Sequence, residues 1–218
     1  MKVLLLLVYA LLFDTHVQAQ KHGVDTLAGY IVKTNDTLAG HVILPYRMVK
    51  EKKEFHKQYE NEGWYQQVRF VDGTDVEKVF LPSDISAYGW KWNDTSKATF
   101  RSFKVVVPHK GAFQFKGQAK PFLKLEVEGP MSLYLYYHQE NALGSTNYFN
   151  DRYLINEQGE MQPIKIKAWL GIAYNLTDLE SWFEGYPDLS KFEMKNMIAL
   201  EVWYLVAGYN KWRKTANK

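Results

Sequence analysis

The hydrophobic period of this chain changes once, near residue 164, and that change sets its fold class. Before it, apolar residues recur at every second position between clusters of Gly, Pro, Asn and Asp; after it, they recur at threes and fours. A period of two belongs to strands with one buried face, and a period near 3.6 to helices with an apolar stripe. The pattern predicts an α+β fold: mainly antiparallel hairpins over residues 27–164, packed by C-terminal helices over 165–213. No linker rich in Pro, Gly or Ser divides the chain, so residues 20–218 read as one domain.

Individual elements follow from the same signals. Gly29 to Lys33 and Thr37 to Leu44 flank Thr34-Asn35-Asp36, a hairpin, with Pro45 expected to stop the second strand. Val49 to Glu62 is rich in charges of both signs and reads as a solvated loop or short exposed helix. Trp64, Gln66, Val68 and Phe70 share one face of a predicted strand, with Tyr65, Gln67 and Arg69 on the other; Asp72-Gly73 turns it and Val76 to Leu81 returns. Leu123, Leu125 and Val127 point inward from the next strand, and Met131 to Tyr137 is apolar on both faces, which predicts a central strand. Thr177-Asp178-Leu179-Glu180 has the spacing of a capping box, ahead of an apolar face of Leu179, Trp182, Phe183 and Tyr186. Ile198, Val202, Leu205, Tyr209 and Trp212 form the stripe of a last helix ending near Arg213. Residues 198–208 are apolar almost all round, so this helix is expected to be covered by protein and to cross the sheet near Leu123, Leu125 and Val127.

The N-terminus reads as an export signal. Lys2 precedes an uncharged apolar run from Val3 to Phe13, and Val17-Gln18-Ala19 has the small residues of a cleavage site, which predicts a mature chain from Gln20. Eleven apolar residues fall short of the roughly 20 that span a bilayer. The chain has no cysteine, which excludes disulfides, thiolate metal sites and a Cys nucleophile, and suits a bacterial periplasm or cell surface. A net charge of +3, dispersed along the chain, gives no reason to expect a nucleic-acid partner.

Three segments, Gly29-Tyr30-Ile31-Val32 with Asp36-Thr37-Leu38-Ala39-Gly40, then Leu133 to Tyr137 with Tyr148 to Gly159, then Leu205 to Trp212, resemble a family of uncharacterised exported proteins of Bacteroidota. The resemblance spans most of residues 29–212 and implies compartment and architecture, with no chemistry attached. Asp25-Thr26-Leu27 and Asp36-Thr37-Leu38 also resemble a short O-glycosylation acceptor pattern of that phylum, although Asp-Thr is ordinary turn chemistry as well.

No pair among His22, His41, His56, His109 and His138 has helical metal-site spacing, and His138 with Glu140 is the nearest to a metal pair; a hairpin end accounts for both. G-x-S-x-G, S-x-x-K, G-x-G-x-x-G and the P-loop are missing. Asp72, Asp75 and Asp84 sit where a glycosidase could hold acids, and equally where turns favour Asp. Tyr88, Trp90 and Trp92 share one strand face and Tyr134 and Tyr136 another. These rings are either a platform that stacks sugar rings or core. The expectation is an exported envelope protein without a cofactor or metal, acting as a binding or interaction module for a glycan or another envelope protein. A carboxylate-dependent hydrolase of glycans is the alternative.

Overall fold

A computed structural model describes residues 22–34, 36–51, 54–59, 63–103, 121–142, 145–168 and 172–216. The fold is α+β, mainly antiparallel sheet with a C-terminal helix. Its elements are strands β1 (His22–Val32), β2 (Thr37–Glu51) and β3 (Glu54–Tyr59); a single helical turn α1 (Gly63–Gln66); β4 (Val68–Val71), β5 (Glu77–Phe80), β6 (Ala87–Lys91), β7 (Lys97–Ser102), β8 (Phe122–Val127), β9 (Ser132–Ala142), β10 (Ser145–Ile155), β11 (Met161–Pro163), β12 (Lys165–Ala168) and β13 (Ile172–Asn175); and the helix α2 (Ala199–Ala216). The export signal, its cleavage site and His109 lie outside the described residues.

The chain divides into two compact units. The smaller comprises residues 22–25 and 44–59. There the second half of β2 pairs with β3 from Tyr46↔Tyr59 to Glu51↔Glu54, so the charged stretch after Val49 is largely strand, where a loop or helix was expected. Pro45 does not stop β2. The ladder to β4 ends at Ile43 and the ladder to β3 begins at Tyr46, so the proline's missing N–H falls in the gap between them.

The larger unit carries the strand order β11-β10-β9-β8-β7-β6-β1-β2-β4-β5, with β1–β6, β6–β7 and β9–β10 among its antiparallel pairs. β9 lies between β8 and β10, as its two apolar faces predict, with Leu133, Tyr134 and Tyr136 buried. Trp64 and Gln66 are not strand residues. The α1 turn, closed by Gln67 N–H donating to Gly63 O at 3.0 Å, lets adjacent rings bury together: Trp64 packs 5.0 Å from Trp90, and Tyr65 lies 5.5 Å from both Phe100 and Tyr136. An extended chain sends neighbours to opposite faces and forbids this.

After Pro163 the chain first makes another hairpin, β12–β13, where helix was expected. Thr177–Phe183 is 3-10 helix rather than α-helix, and no side chain caps it; Asn175 Oδ1 instead accepts from Thr177 N–H and hydroxyl. The capping box is therefore absent: Thr177 is the first residue of the helical segment rather than its cap, and the N–H that the Glu180 carboxylate would accept goes to Asn175. Leu179 and Phe183 are buried all the same, with Trp182 and Tyr186 packed beside them.

α2 places Val202, Leu205, Val206 and Tyr209 in one core with Val127, Met131, Leu133, Leu154, Tyr174 and Phe183. It packs against β8, β9 and β13; of the three β8 residues expected beneath it Val127 joins this core, and a register shift between Leu125 and Val127 sets Leu123 and Leu125 apart from it. Ile198, expected on the stripe, precedes the helix and is exposed; on the helix itself the outer face is not covered among the described residues, with Leu200, Trp203 and Tyr204 exposed. Between β8, β10 and β13 a polar bracket crosses the core edge. Arg152 donates through Nε and Nη2 to Glu126 at 2.9 and 3.2 Å, lies 5.0 Å over the Tyr174 ring and donates to the Tyr174 hydroxyl. Pairing a nearly buried guanidinium at both ends avoids the several kcal/mol that an unpaired buried charge costs.

Candidate functional site

The aromatic rows resolve mostly as core. Tyr88, Trp90, Tyr134 and Tyr136 are buried, and only Trp92, 38% exposed, meets solvent. Tyr88 and Trp90 stack on Phe100 at 4.8 and 5.3 Å, Tyr88 donates to the carbonyl of Trp64, and Tyr134 accepts from Arg101 at 3.1 Å. A sugar platform needs open ring faces, and four of these five rings spend theirs on other rings. The reason lies in the α1 turn, which lays Trp64 and Tyr65 onto the rows.

The candidate carboxylates are turn residues. Asp72 Oδ1 accepts from Thr74 N–H at 2.9 Å and its other oxygen takes Lys78; these contacts, the Lys78 bond first, hold its pKa well below the carboxylate range. Asp84 accepts from Leu81 N–H at 2.9 Å and from the Ser83 hydroxyl at 3.0 Å. Asp75 takes a left-handed backbone, φ 56°, to close the hairpin. Asn93 and Asn175 likewise bond their own turns. Thr26 and Thr37 are exposed strand residues. Among the described residues no group of three or more His, Asp or Glu is placed to hold a metal, and the His138 and Glu140 side chains lie outside the described set.

In the smaller unit Asp25 accepts from Lys57 Nζ at 2.7 and 2.9 Å and from the Tyr59 hydroxyl at 2.6 Å. The Lys57 and Tyr59 bonds hold the Asp25 carboxyl below its ordinary pKa. Desolvation, then the bond to Asp25, pushes the Tyr59 phenol up to about 12. Lys57 also lies 4.6 Å over the Tyr46 ring. All four groups are mutually satisfied, which is the character of a structural clasp.

A cleft of about 340 Å³ opens in the larger unit where the β10–β11 turn meets α2. Pro130 and Met131 line it together with Asn156, Glu157, Gln158 and Glu160 of the turn and with Ser181, Trp182, Glu184, Tyr209 and Arg213. The turn is preformed. Asn156 Oδ1 accepts from Gln158 and Glu160 N–H at 3.1 and 2.9 Å, Asn156 Nδ2 donates to Glu160 at 2.6 Å, and Gly159 supplies the positive φ, 79°. Arg213 Nη2 donates to both Glu157 oxygens at 3.1 and 3.3 Å. Three carboxylates face one guanidinium, with neutral amide and hydroxyl groups and two aromatic side chains between. That lining suits a polar ligand with an apolar face, neutral or cationic, and repels an anionic one.

The sequence does not bring these residues together because they lie far apart in the chain, in segments read there for strand, turn and helix rather than for chemistry. No helix among the described residues is long and apolar enough to cross a membrane. In comparisons with known protein families, curated proteins and solved structures, nothing matches this chain.

Proposed function

We propose that this chain is an exported bacterial envelope protein that binds an uncharged glycan in the cleft beside α2 without turning it over. The observation that carries the reading is the lining: Trp182 offers aromatic surface for the apolar face of a sugar ring, while Gln158, Ser181 and Glu184 offer donors and acceptors for its hydroxyls. The export-type leader and the resemblance to exported proteins of Bacteroidota support the compartment, periplasm or cell surface.

The three carboxylates also favour a second reading, a glycan hydrolase. Glu157 and Glu160 weigh against it, since Arg213 and Asn156 engage them and make them part of the cleft wall. A glycan array probed with the parent and with Glu184→Gln separates the two. Binding reproduced by both proteins, or weakened by Glu184→Gln, with no new reducing ends released from bound glycans, supports the binding module. Release of reducing ends by the parent and not by Glu184→Gln establishes the hydrolase. Protein exported by the native host is expected to begin at Gln20 on N-terminal sequencing.

A further inference from the structure

We propose that the outer edge of β5, Glu77–Phe80, takes an extended segment of a partner polypeptide as an added strand. β5 ends the strand order, paired to β4 from Val68↔Phe80 to Val71↔Glu77, and among the described residues no strand lies beyond it. The N–H and C=O groups on that side can be satisfied only by water or by another extended backbone.

The edge is bounded and rigid. At one end Asp72 holds Thr74 N–H and Asp75 N–H donates to Asp72 O at 3.2 Å. At the other, Leu81 N–H donates to Asp84 Oδ2, and Asp84 N–H to Leu81 O, both at 2.9 Å. A docking strand therefore meets four residues already in strand geometry, which lowers the ordering cost of binding.

Exposed edges are commonly protected by charge. Here both charged residues are compensated within the hairpin: Glu77 takes Arg69 through two bonds, 2.6 and 2.9 Å, and Lys78 pairs with Asp72. What remains is apolar. Val76, Val79 and Leu81 are 55%, 51% and 42% exposed along the same edge. An uncharged segment alternating β-branched residues complements it.

The length of the edge selects the occupant. Two rigid copies meeting over four residues bury far less than the roughly 1,200–2,000 Å² of a stable interface, whereas a flexible segment follows the strand and folds over Val76 and Leu81. The cleft plays no part here, so the failure of either reading leaves the other standing.

Short random peptides displayed on phage, selected on the parent and counter-selected on Val79→Lys, provide the probe. Peptides that alternate β-branched residues should emerge, with NMR shifts and slowed amide exchange confined to Val76–Leu81. Val79→Lys should bind them about 5-fold more weakly while melting with the parent. N-methylating alternate residues of a selected peptide should weaken binding about 3- to 10-fold in one phase and little in the other. The proposal is overturned if no peptide survives counter-selection or if shifts fall elsewhere. It is overturned equally if N-methylation acts alike in both phases, or if the peptide-free protein dimerises in a way that Val79→Lys abolishes.

Discussion

Asn210 closes two hydrogen bonds on the backbone of a single residue, Met131, 79 positions earlier: its Oδ1 accepts from Met131 N–H at 2.8 Å and its Nδ2 donates to Met131 C=O at 2.6 Å. The side chain imitates a neighbouring strand and pins α2 to the start of β9. Both residues are buried, and Met131 and Tyr209 are part of the cleft lining.

Asn210→Leu should therefore cost about 2–4 kcal/mol in urea melts, since two buried backbone groups lose their partners at once. Gly129 is part of the same joint, because a Cβ there would come within 2.5 Å of the Asn210 amide. Gly129→Ala should destabilise the parent and do so less in the Asn210→Ala background, where the amide is gone. Equal effects in both backgrounds would separate the two residues.

The two faces of α2 should respond oppositely to truncation. Leu205 is fully buried, and Leu205→Ala is expected to cost about 2–4 kcal/mol through lost burial and the cavity left behind. Leu200, exposed on the outer face, should tolerate Leu200→Ala within about 0.5 kcal/mol. Urea midpoints with unchanged slopes check both.

The Asp25 clasp gives a signed pH dependence at each end. The Asp25 carboxyl has its pKa depressed in the folded state, so its contribution is present above the ordinary carboxylate value and is lost as pH falls through the folded one. The Tyr59 phenol is raised to about 12, so its contribution is complete below pH about 10 and is lost as pH climbs toward 12. Asp25→Asn should flatten the acid limb of the stability profile. Tyr59→Phe should remove one late-ionising phenol from the alkaline absorbance titration, and a titration unchanged from the parent would contradict the assignment.

The last helix was legible because burial imposes a period on residues such as Val202 to Tyr209, whereas the alternation of Leu123, Leu125 and Val127 is interrupted by a register shift between Leu125 and Val127. Three features were not, each for a physical reason. Trp64 to Gln66 carries strand-like residues, yet burying Trp64 and Tyr65 together outweighs that local preference. Pro45 breaks a strand only where its N–H is needed, and a change of pairing partner is invisible in sequence. The aromatic rows of Tyr88, Trp90, Tyr134 and Tyr136 alternate equally well toward solvent or core, and packing alone decides. The cleft left no periodic trace, since a turn, a 3-10 segment and the C-terminal turns of a helix each contribute one to four residues.

The most direct test of the binding account is a ¹⁵N NMR titration of the protein with a panel of neutral oligosaccharides. The account predicts shifts clustered at Asn156–Glu160, Ser181–Glu184 and Tyr209–Arg213, including the Trp182 indole, with the sugars' own anomeric signals unchanged over time. Shifts absent from those residues for every member of the panel, or anomeric signals of cleavage products growing in, would contradict it.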